Sequence, residues 1–254
     1  MNSEFDALLR NQTWELVPPS HHLNVTGCRW IFKIKRKADG SIKRYKARLV
    51  AKGYHQQLGV DFHENYSPVV KPATIWLVLS IAVRNNWTIR QLDVQNAFLH
   101  GNLTEVVYMD QPPGFKHPQF PDHLCKLKRS LYGLKQAPHQ WFSRLAVVLI
   151  QFGFVGSKAD LSLFVHTDTS SIIYILIYVD DIIITGSNVA VITNIIQQLH
   201  KEFAITNLGP LSFFLGIEAI RDATGLYLTQ RRYIADLLTK SKMDGVNPRI
   251  NIGS

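Results

Sequence analysis

"IYILIYVDDIIITGS", residues 173–187, decides the fold. Seven apolar residues, Ile173 to Val179, lead into two adjacent aspartates, Asp180 and Asp181, and three isoleucines follow. β-Branched runs of this length on both sides of a break read as two buried strands joined by a tight turn at the acids. Burying an unpaired carboxylate costs several kcal/mol, so something must compensate. A turn can leave the pair in water. A divalent cation can hold two carboxylates better than any side chain does.

The second informative stretch is "KIKRKADGSIKRYKARLVAK", residues 33–52, with nine basic residues and one acid, Asp39. It carries +8 of the chain's formal +9. Asp39-Gly40 is a hairpin turn dipeptide, and both flanks alternate. Trp30, Phe32 and Ile34 fall on one face, opposite Lys33, Lys35 and Lys37. Tyr45, Ala47, Leu49 and Ala51 share a face, opposite Arg44, Lys46, Arg48 and Lys52. Charge runs are usually solvated faces. Like charges on paired strands repel, however, so a ribbon this cationic implies an anion nearby, and phosphates fit that need.

The chain has 254 residues, 46% of them hydrophobic, enough for one large or two small cores. A basic excess points to nucleic acid first and an anionic membrane surface second. Cys28 and Cys125 are the only cysteines, too few for a disulfide framework or zinc cluster, and suit a reduced, intracellular protein. The first twenty residues lack the pattern of a signal peptide. The apolar run 172–184 is too short for a membrane span and carries two acids.

Helices are predicted over about 73–85, 138–152 and from Asn188, with a short one around Ile234, Leu237 and Leu238. Strands are predicted over 87–94 and on either side of Asp180-Asp181, and a last hairpin over 213–228. The Pro/Gly-rich stretch 111–123 reads as a loop, with a sub-domain boundary as one reading. The sum is α+β, with a split βαβ sheet as its core.

Two-metal chemistry needs carboxylates from different segments. The best partner for Asp180-Asp181 is Asp93 in "IRQLDVQNAFLHG", at the end of another strand. Three acids, a phosphate-binding basic face and a positive chain point to phosphoryl transfer on nucleic acid. No G-x-G-x-x-G or G-x-x-x-x-G-K-[ST] loop supports a kinase.

With these residues in view, the chain resembles the reverse transcriptase of Ty1/copia-type LTR retrotransposons. The motifs that carry the resemblance are "RYKARLVAKGYHQ" (44–56), "LDVQNAFLHG" (92–101), "YMDQPPGF" (108–115), "LYGLKQAP" (131–138), "YVDD" (178–181) and "FFLGIEA" (213–219), in that order. It implies a right-hand polymerase with fingers and an RRM-like palm. Residues 1–86 would be mostly fingers, 87–110 the first catalytic strand of the palm, and 111–137 a connecting loop with fingers and palm. Residues 138–228 would be palm, and 229–254 the start of a shortened thumb. Residues 1–254 would thus form a single reverse-transcriptase domain.

The resemblance also implies roles. Asp93, Asp180 and Asp181 match the catalytic acids, with Asp93 and Asp180 the stronger direct ligands and the Val94 carbonyl a further one. They would hold two Mg²⁺ ions, with Mn²⁺ as a substitute. Phe98 stands where an aromatic gate would exclude a ribose 2′-hydroxyl; a core aromatic is its other reading. Lys37 and Arg48 are expected at the triphosphate, with Lys46 and Lys52 as alternatives. Gly133 and Gln136 would lie against the nucleotide, or serve as a turn glycine and a helix-start residue. Lys33, Lys35 and Arg44 would meet the nucleic-acid backbone. Leu215 and Gly216 would grip the primer end, or form an ordinary strand with a glycine kink. Partners would be an RNA template, a DNA or tRNA-type primer and deoxynucleoside triphosphates, with no membrane; the setting implied is a cytoplasmic virus-like particle. Trp76 and His139 stand where the family pattern has arginine. They motivate the alternative of an inactive nucleic-acid-binding remnant of a decayed element.

Overall fold

The computed structural model describes residues 1–20, 22–36, 41–222 and 225–243. Lys37 and the Asp39-Gly40 turn lie outside the described residues. The architecture is mixed α+β. The helices among the described residues are α1 (Asn2–Arg10), α2 (Pro72–Arg84), α3 (Ala137–Gln151), α4 (Val189–Glu202) and α5 (Arg231–Lys240).

A six-stranded sheet forms the centre. Its spatial order is β12 (Ile205–Pro210), β5 (Ile89–Val94), β11 (Asp181–Gly186), β10 (Ile172–Tyr178), β9 (Leu163–Thr167) and β8 (Val155–Gly156), with every neighbour antiparallel. The apolar run of the quoted stretch is continuous because this sheet is covered on both faces. Leu92, Val94, Ile175, Ile177, Ile182 and Ile184 pack with α3 and α4 residues such as Trp141, Leu145, Ile192 and Leu199. The alternate residues Ile89, Leu176 and Ile183 pack with Val78, Leu79 and Ala82 of α2.

Helices α3 and α4 each bury one apolar stripe. In α3, Trp141, Leu145, Val148 and Leu149 are buried. In α4, Ile192, Ile195, Ile196 and Leu199 are buried. The Asn188 side chain caps α4, its Oδ1 accepting from Ala190 N–H at 3.0 Å and Val191 N–H at 3.2 Å. Helix α5 forms as expected, but Ile234, Leu237 and Leu238 are exposed.

A smaller sheet has the order β1 (Trp14–Val17), β7 (Leu124–Leu127), β6 (Tyr108–Met109) and β2 (Val25–Thr26), the last pair parallel. The Pro/Gly-rich stretch 111–123 joins β6 to β7 within this one sheet. Buried Gln111 organises it, donating through Nε2 to the Phe120 and His123 carbonyls at 2.8 and 2.9 Å. β3 (Cys28–Arg36) and β4 (Ile42–Ala51) form a two-stranded ribbon. Its base is buried at Cys28, Leu49 and Ala51 beside Leu8 of α1, while Phe32 and Tyr45 are 67% and 75% exposed.

The predicted hairpin 213–228 is a three-stranded sheet, β13 (Phe213–Phe214), β14 (Ile217–Arg221) and β15 (Leu226–Thr229). Leu215 and Gly216 make the two-residue turn from β13 to β14, with φ of 52° and 81°. Two positive φ values suit the twist of a tight hairpin, and glycine supplies the second freely.

Candidate active-site cleft

Strand pairing brings the acids together. Asp181 lies directly opposite Asp93 in the β11–β5 register, and Asp180 sits in the turn between β10 and β11. The turn is Val179-Asp180, one residue earlier than the sequence suggests, since Asp181 already pairs with Tyr178. Val179 has φ of 54°, an unfavourable conformation for a β-branched residue. Two bonds hold it there. The Trp141 indole N–H donates to the Val179 carbonyl at 2.7 Å, and Val94 N–H donates to the Asp180 carbonyl at 2.8 Å. Tyr178 meets Phe214 edge-on at 6.5 Å, so the β13–β14 turn region leans on the same corner.

Asp93 and Asp180 open into a cleft of about 580 Å³. Arg44, Lys46 and Arg48 of β4 line it, with Val94, Asn96 and Tyr132. The β3–β4 register sets Lys33 against Lys46, which keeps like charges adjacent. Arg48 is the best-placed cation. Its guanidinium lies 4.5 Å from the centre of the Tyr132 ring. Its Nε is buried and meets no hydrogen-bond acceptor among the described residues. A buried donor without a partner is costly unless a ligand satisfies it.

Asp181 points elsewhere. It accepts a long, 3.5 Å hydrogen bond from Gln91 Nε2 and is not part of the cleft wall. Burial pushes its carboxyl pKa up, and the neighbouring charges of Asp180 and Asp93 add to the rise while Gln91 opposes it. Crowded carboxylates are what a bound cation relieves. Mg²⁺ takes hard oxygen ligands, commonly one or two carboxylates together with substrate phosphates, and Asp93 and Asp180 fit that chemistry. Among the described residues, no set of three His, Cys, Asp or Glu side chains could hold an ion by itself.

The remaining expected residues are placed as follows. Lys33 is exposed and outside the cleft wall. Lys52 lies over Gly27, its Nζ within 3.7 Å of where a Cβ on that glycine would stand. Phe98 sits behind the wall, meeting Tyr132 edge-on at 4.7 Å. Gly133 has φ of 90°, and a Cβ there would strike the Ala51 carbonyl oxygen at 2.1 Å. That close approach lets Tyr132 O accept from Ala51 N–H at 2.8 Å, which fixes Tyr132 beside β4. Gln136 is fully buried: Nε2 donates to the Asp61 carbonyl at 2.8 Å, and Oε1 accepts from Gln56 Nε2 at 3.0 Å. It ties the 131–136 turn to the 56–61 loop instead of lining the cleft.

Neither departure from the family pattern lies in the cleft wall. Trp76 is 53% exposed on α2. His139 Nδ1 is 2.7 Å from the Tyr66 carbonyl, and its Nε2 is 3.8 Å from Glu64. Among the wall residues that sequence reasoning missed are Tyr132 and Glu4. Tyr132 stands inside the "LYGLKQAP" motif and was within reach of it. Glu4 gave no signal, because nothing local ties α1 to β4.

The family model described as reverse transcriptase (RNA-dependent DNA polymerase) matches residues 11–252. The chain is 52% identical over 249 residues to the retrovirus-related Pol polyprotein from transposon RE1 of Arabidopsis thaliana, covering 98% of this chain and 17% of the relative. It is 38% identical over 251 residues to the corresponding polyprotein from transposon TNT 1-94 of Nicotiana tabacum, covering 98% and 19%. It is 30% identical over 224 residues to the Gag-Pol polyprotein of transposon Ty1-ER2 of Saccharomyces cerevisiae, covering 82% and 12%. The chain thus spans less than a fifth of these relatives. Acids on paired strands, a facing basic ribbon and a family match over nearly all of its length agree: the chain belongs to the reverse transcriptase family, as the reverse-transcriptase domain of a Ty1/copia-type retrotransposon.

Proposed function

We propose that this chain is an RNA-directed DNA polymerase that extends a primer 3′-hydroxyl on an RNA template, using deoxynucleoside triphosphates. The observation that supports it best is the cleft in which Asp93 and Asp180 face Arg44, Lys46 and Arg48. On this reading the six-stranded sheet is the palm and the β3–β4 ribbon belongs to the fingers.

Asp93 and Asp180, with the Val94 carbonyl, would hold two Mg²⁺ ions, or Mn²⁺ in their place. When bound, such ions acidify an attacking hydroxyl and neutralise charge on a leaving pyrophosphate. Asp181 adds negative charge behind them. Arg48 and Lys46 bind the triphosphate, and Arg44 reaches the outer phosphates or the template backbone. Arg48 is held by Tyr132, so little freedom is lost on binding. Tyr132 presents its ring to the nucleotide, with Phe98 as its backing, and the pair together exclude a 2′-hydroxyl. Gly133 and Gln136 act through Tyr132 by fixing its turn. Lys33, Lys35 and Lys52 contribute field along the nucleic-acid path. Leu215 and Gly216 support the primer end from beside Tyr178.

The test is primer extension on a homopolymer RNA template with Mg²⁺, comparing wild type with Asp180→Asn. Extension by wild type with a loss of about 10³-fold in the variant is expected. Salt-sensitive template binding without extension by either protein would overturn the polymerase reading in favour of a binding remnant.

A further inference from the structure

The cleft wall contains one group that a polyphosphate site should reject. Glu4, in the first turn of α1, lines the cleft beside Lys46 and Arg48. Helix α1 is anchored against β4 through Leu8, which is buried with Leu49 and Ala51. The helix that carries this half-buried acid is therefore held beside the basic strand. Burial raises its pKa, and the charges of Lys46 and Arg48 act against that rise. A carboxylate among cations that await phosphate occupies the same electrostatic role as the substrate.

We propose that Glu4 is a resident counter-charge to Lys46 and Arg48 in the nucleotide-free cleft, and that the polyphosphate of an incoming nucleotide takes over that role. This rests on the polyphosphate reading of the cleft. Glu4 spares the basic ribbon from self-repulsion before substrate arrives, and it makes weak anions poor competitors. Only a ligand with several phosphates carries enough charge to replace it. A helix-dipole role is the alternative, since an acid in the first turn stabilises α1. That role predicts no gain in anion affinity when the charge is removed.

Titration calorimetry with inorganic tripolyphosphate on the whole chain separates them, using wild type, Glu4→Gln, Glu4→Asp and Asp6→Asn. Asp6 lies on the same helix, is exposed and is not part of the cleft wall. Glu4→Gln is expected to bind tripolyphosphate about fivefold more tightly, and Glu4→Asp and Asp6→Asn to bind as wild type does. In primer extension, Glu4→Gln lowers the nucleotide KM by the same factor with kcat within about twofold. Wild-type binding with unchanged or weaker affinity in a folded Glu4→Gln overturns the Glu4 role alone. No tripolyphosphate binding by wild type overturns the polyphosphate reading of the cleft, and the Glu4 role with it.

Discussion

The two walls of the cleft are built by opposite means. The acids stand on β5 and β11, interior strands of a sheet buried on both faces, and the turn that carries Asp180 is bonded to Trp141 and Val94. The cations stand on a two-stranded ribbon whose outer half is exposed, with Phe32, Ile34, Ile42 and Tyr45 all in water. A two-stranded ribbon is marginal without support. Carboxylates that act on reacting atoms need positions fixed to a fraction of an ångström, and a packed sheet supplies them. Phosphate binding works by charge over longer distances and makes lower demands on position. Strain is likewise spent on the rigid side, at Val179, where packing can hold it.

The sharpest way to break this comparison is to alter one wall at a time. Asp93→Asn should reduce primer extension about 10³-fold with an unchanged circular dichroism spectrum. An effect that small substitutions on β4 matched would erase the distinction. Next in size is the packing that holds the acids. Ile175→Ala, fully buried in the central sheet, should cost about 2–5 kcal/mol in denaturant unfolding. On the other wall, Arg48→Lys keeps the charge but loses the planar stack on Tyr132. It should raise the nucleotide KM about tenfold with kcat little changed.

Asp181 gives a smaller, pH-dependent effect. Its pKa in the folded chain is raised, so the charged form is disfavoured by folding. Its contribution to stability is complete below the ordinary carboxylate range and is lost as pH rises through the raised value. Asp181→Asn should therefore melt higher than wild type at pH 7 in metal-free buffer and draw level with it in acid. A variant that melts lower at pH 7 would contradict the crowding argument. Smallest of all, Phe32→Ala on the exposed ribbon should shift stability by no more than about 0.5 kcal/mol.

The strands flanking Asp180, α2, α3, α4 and the basic ribbon were legible because each carries a long pattern with a turn or cap at its end. Asp180 was legible as a polar break in an apolar run, and Asp93 from its place at the end of a predicted strand within a family motif. The four-stranded sheet was not. Its strands β2 and β6 have two residues each, too short for alternation to register. The stretch 111–123 looked like a connector because its organiser, Gln111, acts through backbone carbonyls that no side-chain pattern reveals. Gln136 was read by motif either at the nucleotide or as a helix-start residue, and its partners Gln56 and Asp61 lie 80 and 75 residues away in sequence. Glu4 reaches the cleft only through the packing of Leu8, a contact of the same long range. Periodicity speaks for elements, and contacts between distant elements leave no trace in it.

The central claim is that both walls act on one nucleotide, and single-turnover incorporation on a primed RNA template tests it most directly. Nucleotide concentration is varied for wild type, Asp180→Asn and Arg48→Ala. The account predicts that Arg48→Ala weakens the apparent nucleotide affinity while largely sparing the maximal rate, and that Asp180→Asn collapses the maximal rate. A nucleotide affinity unchanged by Arg48→Ala, or a rate that survives Asp180→Asn, would contradict it.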